Sequence, residues 1–435
     1  MNKRIAVVGS GIAGMTVAYY LRDHYDITLF EKNPTPGGHT NTVDVRDQTG
    51  RSIPVDTGFM VYNDITYPNL NRLFDELGVD PYPTDMSFGV HDSRTKACYS
   101  ASGFNGFFAQ RSRLLSVSHW NMIRGILTFF KDANAFLAMG ETAPDNLTIR
   151  EFFNLHRTPQ NVASQFVYPM ASAIWSTHNT LIEEYPAKSL FRFMANHGLL
   201  GVGQQFQWKT LRGGSRQYRD RMLATLVRPP IVNAGITGVR RNGNQTVSLL
   251  HDDGIEQHFD IVVIATHADE ALALLHNPTE LESSLLSQFT YTRNTAVLHS
   301  DTSVLPPLRR AWASWNYRID GTNDNGHPNA STHYWMNQLQ PLCTHDPFIV
   351  SIDYQGNIDP GKIHWSQTYH HPSFTSDAMQ AQRDLPALNR NSRILYCGSY
   401  FRYGFHEDAH VSGLRVVNEL KERMGNHHEV LPLSL

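Results

Sequence analysis

Six residues near the start of the chain, Gly9-Ser10-Gly11-Ile12-Ala13-Gly14, have the types and spacing of a phosphate cradle. In a G-x-G-x-x-G run the first glycine permits a tight turn. The second lets backbone approach a pyrophosphate that any Cβ would obstruct, and the third lets a helix pack closely on a strand. The freed N–H groups and the positive end of the helix then hold the phosphates. Three spaced glycines alone are weak evidence; their surroundings strengthen it. Ile5-Ala6-Val7-Val8 directly before them reads as a buried parallel strand, and Ile12 to Asp23 has helical spacing. Ile27 to Phe30 gives a second strand and completes a βαβ unit of about 30 residues. Glu31 stands at its end, where a carboxylate accepts hydrogen bonds from ribose hydroxyls and disfavours a 2′-phosphate. The chemistry these residues offer is recognition of a dinucleotide.

Which dinucleotide is decided elsewhere in the chain. Gly37-Gly38-His39-Thr40 follows Glu31 and Lys32 closely, and a glycine doublet there lets the chain pass against a cofactor running deeper than an adenosine. There is no second G-x-G-x-x-G, as paired nucleotide domains would need, and no Y-x-x-x-K, as a short-chain dehydrogenase would need. A late block, Tyr396-Cys397-Gly398-Ser399 and then Gly404-Phe405-His406-Glu407-Asp408-Ala409-His410, reads as a strand ending at a glycine, a loop, and a helix beginning near Ala409. Gly398 allows close approach to a ribityl chain or phosphate. The helix start would aim positive potential at a flavin N1/C2=O edge, where charge gathers on reduction. Asp408 is expected either to serve that site or simply to cap the helix. Together these features predict one FAD, held non-covalently.

The elements that must position these residues are scattered. Helical spacing appears over Trp120 to Leu137 within an aromatic-rich stretch from Ser87 to Trp208. Ile231–Arg241 and Thr246–His251 read as strands of a meander with turns at Asn242-Gly243 and Asp253-Gly254, and Ile261–Ala265 as another buried strand. Further strands are expected at Thr295–His299, Ala311–Tyr317, Thr332–Met336, Phe348–Ile352 and Arg393–Cys397, with a closing helix over Val411–Met424. The expected fold class is α/β. A Rossmann-like, GR2-type FAD-binding domain made of residues 1–88, 210–276 and 391–435 is interleaved with an α+β substrate domain made of 89–209 and 277–390.

Bulk composition fits that picture. The 435 residues are 41% hydrophobic and 18% charged, as in globular proteins, and too many for one ordinary core. The formal net charge of −3 gives no general case for nucleic acid. Arg111, Arg113 and Arg124 among aromatic residues read as a solvated helix face. Cys98, Cys343 and Cys397 form no C-x-x-C pair, which suits a reducing compartment. The 22 histidines include no H-E-x-x-H, and the adjacent pairs His370-His371 and His427-His428 are poorly spaced for one helix face, so no metal is expected. The N-terminus lacks a signal-peptide core, and no run of about 18 apolar residues occurs. The expected location is cytoplasmic, with peripheral contact at the inner membrane face as the variant an acyl substrate would bring.

Three blocks together, the fingerprint at the start, Gly213-Gly214 with the meander, and the late block, resemble the flavin amine oxidase, phytoene desaturase and protoporphyrinogen oxidase superfamily. The resemblance spans the whole chain. It is closer still to a bacterial branch described only as NAD/FAD-binding proteins. The strings that carry this are Gly37–Val43, Val55-Asp56-Thr57-Gly58-Phe59-Met60-Val61-Tyr62-Asn63, Ala265-Thr266-His267-Ala268-Asp269, Trp312–Tyr317 and Gly404–Asp408. Similar domains precede plant cyclopropane fatty acid synthases, so the resemblance implies an apolar, fatty acyl lipid substrate. By position it implies cofactor contacts from Gly9, Gly11, Gly14, Glu31, Gly37, Gly38 and the backbone of Val239. It also places Gly398, Ser399, Ala409 and His410 along the ribityl chain and flavin, and Asp56-Thr57-Gly58 near the ring with Phe59 and Met60 beside it. Two departures weaken the amine-oxidase name. None of the eight lysines lies in a motif like the one such enzymes place near flavin N5, and no cysteine sits where some of them attach flavin covalently.

No acid or base is assigned. Tyr62, Arg402, His406 and Glu407 are the polar residues expected nearest the ring, each with structural hydrogen bonding as its competing role. Three functions follow. The leading one is an FAD-dependent oxidoreductase of the desaturase or dehydrogenase kind, moving hydride between an acyl substrate and flavin N5, with a long apolar tunnel to the flavin. The second is an FAD amine oxidase. The third is a flavin-binding partner subunit of a lipid-modifying enzyme.

Overall fold

The computed structural model describes residues 3–175, 182–202, 206–322, 328–373, 375–425 and 430–434. Arg4–Val8, Asp26–Phe30, Ile261–Ile264 and Ile394–Tyr396 form a parallel sheet in the spatial order 394–396, 261–264, 4–8, 26–30. The first strand lies in the middle because it is apolar on both faces. Ile5 and Val7 pack with the helix Ile12–Leu21, while Ala6 and Val8 pack with Val239, Val247 and Leu249 of the meander. The meander itself runs antiparallel through Ile236–Arg241, Val247–His251 and Glu256–Phe259, with its turns at the Asn242-Gly243 and Asp253-Gly254 pairs.

The closing helix spans His406–Arg423 and lies on Ile12–Leu21. Gly413 makes that crossing close: a Cβ there would sit 2.7 Å from the Ala13 carbonyl oxygen and 3.0 Å from Thr16 Cβ. The helix begins three residues earlier than Ala409. The Asp408 carboxylate reaches back to accept the Phe405 N–H at 2.9 Å, so it serves the helix from its third residue rather than as the cap.

A seven-stranded sheet holds the second half of the fold. Its order is Ile363–Ser373, Thr290–His299, Ile349–Ile352, Pro328–Trp335, Trp315–Thr322, Phe88–Asp92 and Ala97–Ser100, antiparallel except between 315–322 and 88–92. The strand expected over 311–317 starts only at Trp315, because Arg309–Ala311 is a 3-10 turn. Beside this sheet the helices Val117–Ala138, Ile149–His156 and Ala187–Asn196 bury a phenylalanine-rich core that includes Phe129, Phe136, Phe152, Phe166 and Phe191. Each such side chain contributes roughly 1.5–3 kcal/mol. No described helix is long and apolar enough to cross a membrane.

Candidate active site

The glycine fingerprint folds as its spacing requires. Gly9 adopts φ +101°, and Gly14 faces it so closely that a Cβ would lie 2.0 Å from the Gly9 carbonyl oxygen. Gly11 differs: a Cβ there would meet no protein atom within 4 Å, so the space above it is open. Gly38, at φ +59°, runs beside Gly11, with only 3.3 Å from its would-be Cβ to Gly11 Cα. The buried Glu31 carboxylate ties these pieces together. It accepts from Ser10 Oγ (2.6 Å), from the backbone N–H of Ser10 (3.2 Å) and Asn33 (2.9 Å), and from Asn33 Nδ2 (2.8 Å). Ser10 Oγ in turn accepts the Gly37 N–H at 3.0 Å. Fingerprint, carboxylate and glycine doublet therefore form one hydrogen-bonded unit. Lys32 points outward to Glu270, at 2.6 Å.

The hairpin Thr42–Arg46 and Ser52–Asp56 leads to Gly58, whose Cβ would collide with the His39 carbonyl oxygen at 2.1 Å. Asp56 anchors this region. Its carboxylate accepts from Thr42 Oγ1 (2.6 Å), from Ser215 N–H and Oγ (both 2.9 Å), and from Gln340 Nε2 (2.7 Å). Burial nevertheless pushes its pKa up to about 6. Gly214, at φ +88°, admits this contact, since its Cβ would overlap Thr42 and Asp56. The sequence marks Gly213-Gly214 and, through the resemblance, Asp56, but its partners Ser215 and Gln340 are not identifiable by spacing.

Beyond Gly58 lies an aromatic and histidine-lined wall. Phe59 stacks on His406, with ring centres 4.0 Å apart. His406 Nε2 bonds Tyr218 OH at 2.6 Å, and Tyr218 OH also bonds Thr40. Burial holds the His406 pKa down to about 3, so the ring is neutral. On the other side His39 stacks on Tyr369 (4.8 Å), beside His371 (5.4 Å). Burial and the neighbouring imidazoles keep His39 well below the usual histidine range. Its Nε2 is buried and has no protein partner among the described residues. Met60 packs with Trp365 and Tyr369 in an adjoining cluster. Tyr218 is the component for which the sequence offered no signal.

Several expected site residues turn elsewhere. Glu407 is buried under the helix Pro68–Leu77 and caps it, accepting the N–H groups of Asn69 and Leu70 (both 2.9 Å) and Asn69 Nδ2 (2.6 Å). Tyr62 is buried among Phe74 and other core residues. The Arg402 side chain is 42% exposed, 4.0 Å from Asp408. His410 Nδ1 bonds Thr16 Oγ1 at 2.8 Å, which turns the ring into the helix crossing and away from the wall. Val239 lies on the edge strand of the meander with its side chain buried; its carbonyl accepts the His276 N–H, and the backbone running beside Glu31 belongs to Ile231 and Ala234. Gly398 and Ser399 do lie between the last strand and the closing helix, the Gly398 N–H donating to Ser412 Oγ at 2.8 Å.

Among the described residues no group of three or more His, Cys, Asp or Glu side chains is arranged to hold a metal ion, and His427-His428 lie outside those residues. A cavity of about 790 Å³ runs along helix 117–138, lined by Asn121, Arg124, Thr128, His156 and Arg157 among others. None of its lining residues belongs to the glycine cradle or to the wall at Gly58, so it is not the tunnel to the flavin expected of an acyl substrate. The open space over Gly11, the Glu31 carboxylate at the strand end and the unpartnered His39 Nε2 fit a dinucleotide that continues past the glycine doublet.

Comparison with known proteins agrees with this geometry. The chain superposes on a conjugated-linoleic-acid-producing fatty acid isomerase from P. acnes (TM-score 0.67, 16% identity, 97% of this chain and 98% of that one). It also superposes on a redesigned putrescine oxidase (TM-score 0.69, 13%, 97% and 99%). A third match is the cyclohexylamine oxidase of Brevibacterium oxydans (TM-score 0.68, 14%, 98% and 100%). At these identities they establish the fold alone. No curated protein sequence matches. The model of the flavin containing amine oxidoreductases matches residues 12–421, nearly the whole chain, and the protein is accordingly a member of that family and an FAD-dependent oxidoreductase.

Proposed function

We propose that this oxidoreductase moves hydride between an apolar, fatty acyl substrate and FAD held non-covalently in the cradle. The carrying observation is the character of the wall at Gly58. It offers Phe59, Met60, Tyr369 and the neutral rings of His39 and His406, and the neighbouring carboxylates Asp56 and Asp408 are engaged by protein donors. An ammonium substrate would need a free carboxylate or an open aromatic cage. Lysines point the same way: Lys32, Lys188, Lys209 and Lys362 are each committed to an ion pair. The fold is shared with a fatty acid isomerase as well as with amine oxidases, so it does not choose between the substrates; the apolar character of the wall supports the acyl reading. A place in the bacterial branch that resembles the domain fused to plant cyclopropane fatty acid synthases belongs to the same reading. So does the division into interleaved cofactor and substrate domains.

In this mechanism Gly9, Gly11, Gly14 and the start of helix 12–21 would hold the pyrophosphate, and Glu31 would accept from the ribose. Gly37, Gly38, Gly58 and Gly398 let backbone pass close to the rest of the cofactor. Bound FAD supplies a hydride acceptor at N5. The start of helix 406–423 would direct positive potential towards the bound flavin. His39 Nε2 has a hydrogen bond free for the ligand, and the Thr40–Tyr218–His406 chain fixes Phe59 in place. The buried side chains around it exclude water.

Anaerobic stopped-flow absorbance in the flavin bands, comparing acyl lipids with amines, tests this. Acyl lipids are expected to bleach the flavin. Reduction by amines alone would end the proposal in favour of an amine oxidase. A flavin that no substrate reduces, while a lipid-modifying partner enzyme depends on it, would make the chain a partner subunit.

A further inference from the structure

From Ser93 to Lys131 the chain carries Arg94, Lys96, Arg111, Arg113, Arg124 and Lys131 and no aspartate or glutamate, in a protein whose net charge is −3. Only Arg94 is neutralised, by Asp92 just outside the segment. Among the described residues no carboxylate lies within ion-pair reach of the other five. Arg111 and Arg113 are instead held by neutral acceptors, Asn105 and Gln110.

The same surface is unusually apolar. Leu115 is 91% exposed, Val117 74% and Phe104 61%, with Leu114 and Trp120 also exposed. These residues form one patch. Phe108 packs on both Phe104 (4.6 Å) and Trp120 (4.9 Å), and Trp120 Nε1 donates to the Leu114 carbonyl at 3.0 Å. Arg310, also exposed, stands on the 309–311 turn, which packs against Ala109 at the patch border. A hollow of about 230 Å³ behind it is lined by Arg113, Ser118, Asn161 and Gln165, which can donate hydrogen bonds, and by no carboxylate.

Exposed leucine, valine and tryptophan surrounded by unpaired arginine is the pattern of a surface that rests in a lipid interface. We propose that the 104–120 patch is a membrane-docking surface. On this assignment Leu115, Val117 and Trp120 enter the acyl boundary, and Arg111, Arg113 and Arg124 face anionic phospholipid headgroups. The charge selects the occupant: a bilayer rich in anionic lipid complements it, whereas a neutral apolar partner would leave five cations uncompensated. The inference concerns a surface apart from the glycine cradle and is independent of which substrate reduces the flavin.

The test is co-sedimentation of the FAD-loaded protein with vesicles of phosphatidylcholine alone or with about 30% phosphatidylglycerol. Binding is expected only to the anionic vesicles and is expected to vanish in about 1 M salt. Arg111→Gln and Arg113→Gln should each weaken it about fivefold, and Leu115→Ser about tenfold. Arg228→Gln, beside Asp26 on the parallel-sheet side, should leave it unchanged. All variants should keep the wild-type flavin spectrum, which separates a docking defect from misfolding. Equal binding to both vesicle types, no binding to either, or binding unaffected by the patch variants overturns the proposal. So does a dimer in solution that Leu115→Ser dissociates.

Discussion

Gly11 and Gly14 belong to one motif, yet the structure predicts opposite consequences for adding a methyl group to each. At Gly14 the new Cβ would sit 2.0 Å from the Gly9 carbonyl oxygen, where real contacts essentially never fall below 3.0 Å. Helix and strand must separate by about 1 Å, and overpacking of this kind costs roughly 1–3 kcal/mol. Gly14→Ala should therefore lower the melting temperature of the apoprotein. By withdrawing the helix start from the phosphates it should also weaken FAD about ten- to a hundredfold, the worth of one charge-assisted hydrogen bond of roughly 1.5–3 kcal/mol. At Gly11 the Cβ meets nothing, and the backbone (φ −62°, ψ 174°) suits alanine. Gly11→Ala should leave the apoprotein as stable or raise it by up to about 1 kcal/mol. The methyl group then occupies the space assigned to the pyrophosphate. Losing two such hydrogen bonds there costs about 3 kcal/mol, or at least a hundredfold in affinity. The assay is thermal melting of apoprotein beside fluorescence titration with FAD. A Gly11→Ala protein that binds FAD like the wild type refutes the placement of the cofactor. A Gly14→Ala apoprotein that melts unchanged refutes the packing argument.

Other outcomes follow from the same contacts. Glu31→Gln keeps the shape but supplies an amide where Ser10 and Asn33 donate, so FAD retention after gel filtration should fall at least tenfold, a cost of about 1.4 kcal/mol. Glu407→Ala orphans the Asn69 and Leu70 N–H groups and should destabilise the fold by roughly 2–4 kcal/mol in urea melts. The turnover of the protein that remains folded should be unchanged, and a selective loss of turnover would return Glu407 to the chemistry. Burial raises the Asp408 pKa from 3.8 to about 7. A raised acid stabilises the fold fully below its unfolded pKa, and that stability is lost as pH climbs through the folded value. Between pH 4 and 7 the wild type should thus lose up to about 4 kcal/mol through this group, a slope that Asp408→Asn removes; parallel melting curves for the two proteins would contradict it. Tyr218→Phe cuts the Thr40–Tyr218–His406 chain and should cost about 1 kcal/mol. It should also slow flavin reduction more than it weakens FAD binding, and the reverse ranking would count against a role for this chain in holding Phe59.

The parts of the site that were legible in the sequence are those whose physics is local. The fingerprint, the doublet and the carboxylate after the second strand lie within one βαβ unit, and glycine spacing reports backbone approach directly. The contacts that complete the site were not legible because they span the chain. Asp56 meets Ser215 and Gln340 across 159 and 284 positions, and Thr40 meets His406 across 366. His410 was expected along the flavin and Glu407 near its ring because they sit in the late motif, but on a helix neighbouring side chains diverge. Their directions are set by Thr16 and by the 68–77 helix, which no spacing within the motif reveals. The early start of the closing helix did carry a signal: an acidic residue three positions after Phe405 can reach back to its N–H.

The crossing at Gly413 has a consequence for biosynthesis. Strand 4–8 and its neighbour 26–30 are made first, the neighbour on the other side only at residues 261–264, and the edge strand and the helix that lies on Ala13 only after residue 390. Until then helix 12–21 has strand 26–30 and helix 216–224 beside it but not the closing helix that lies on Ala13. Completion of the cradle therefore waits on the segments that follow residue 390.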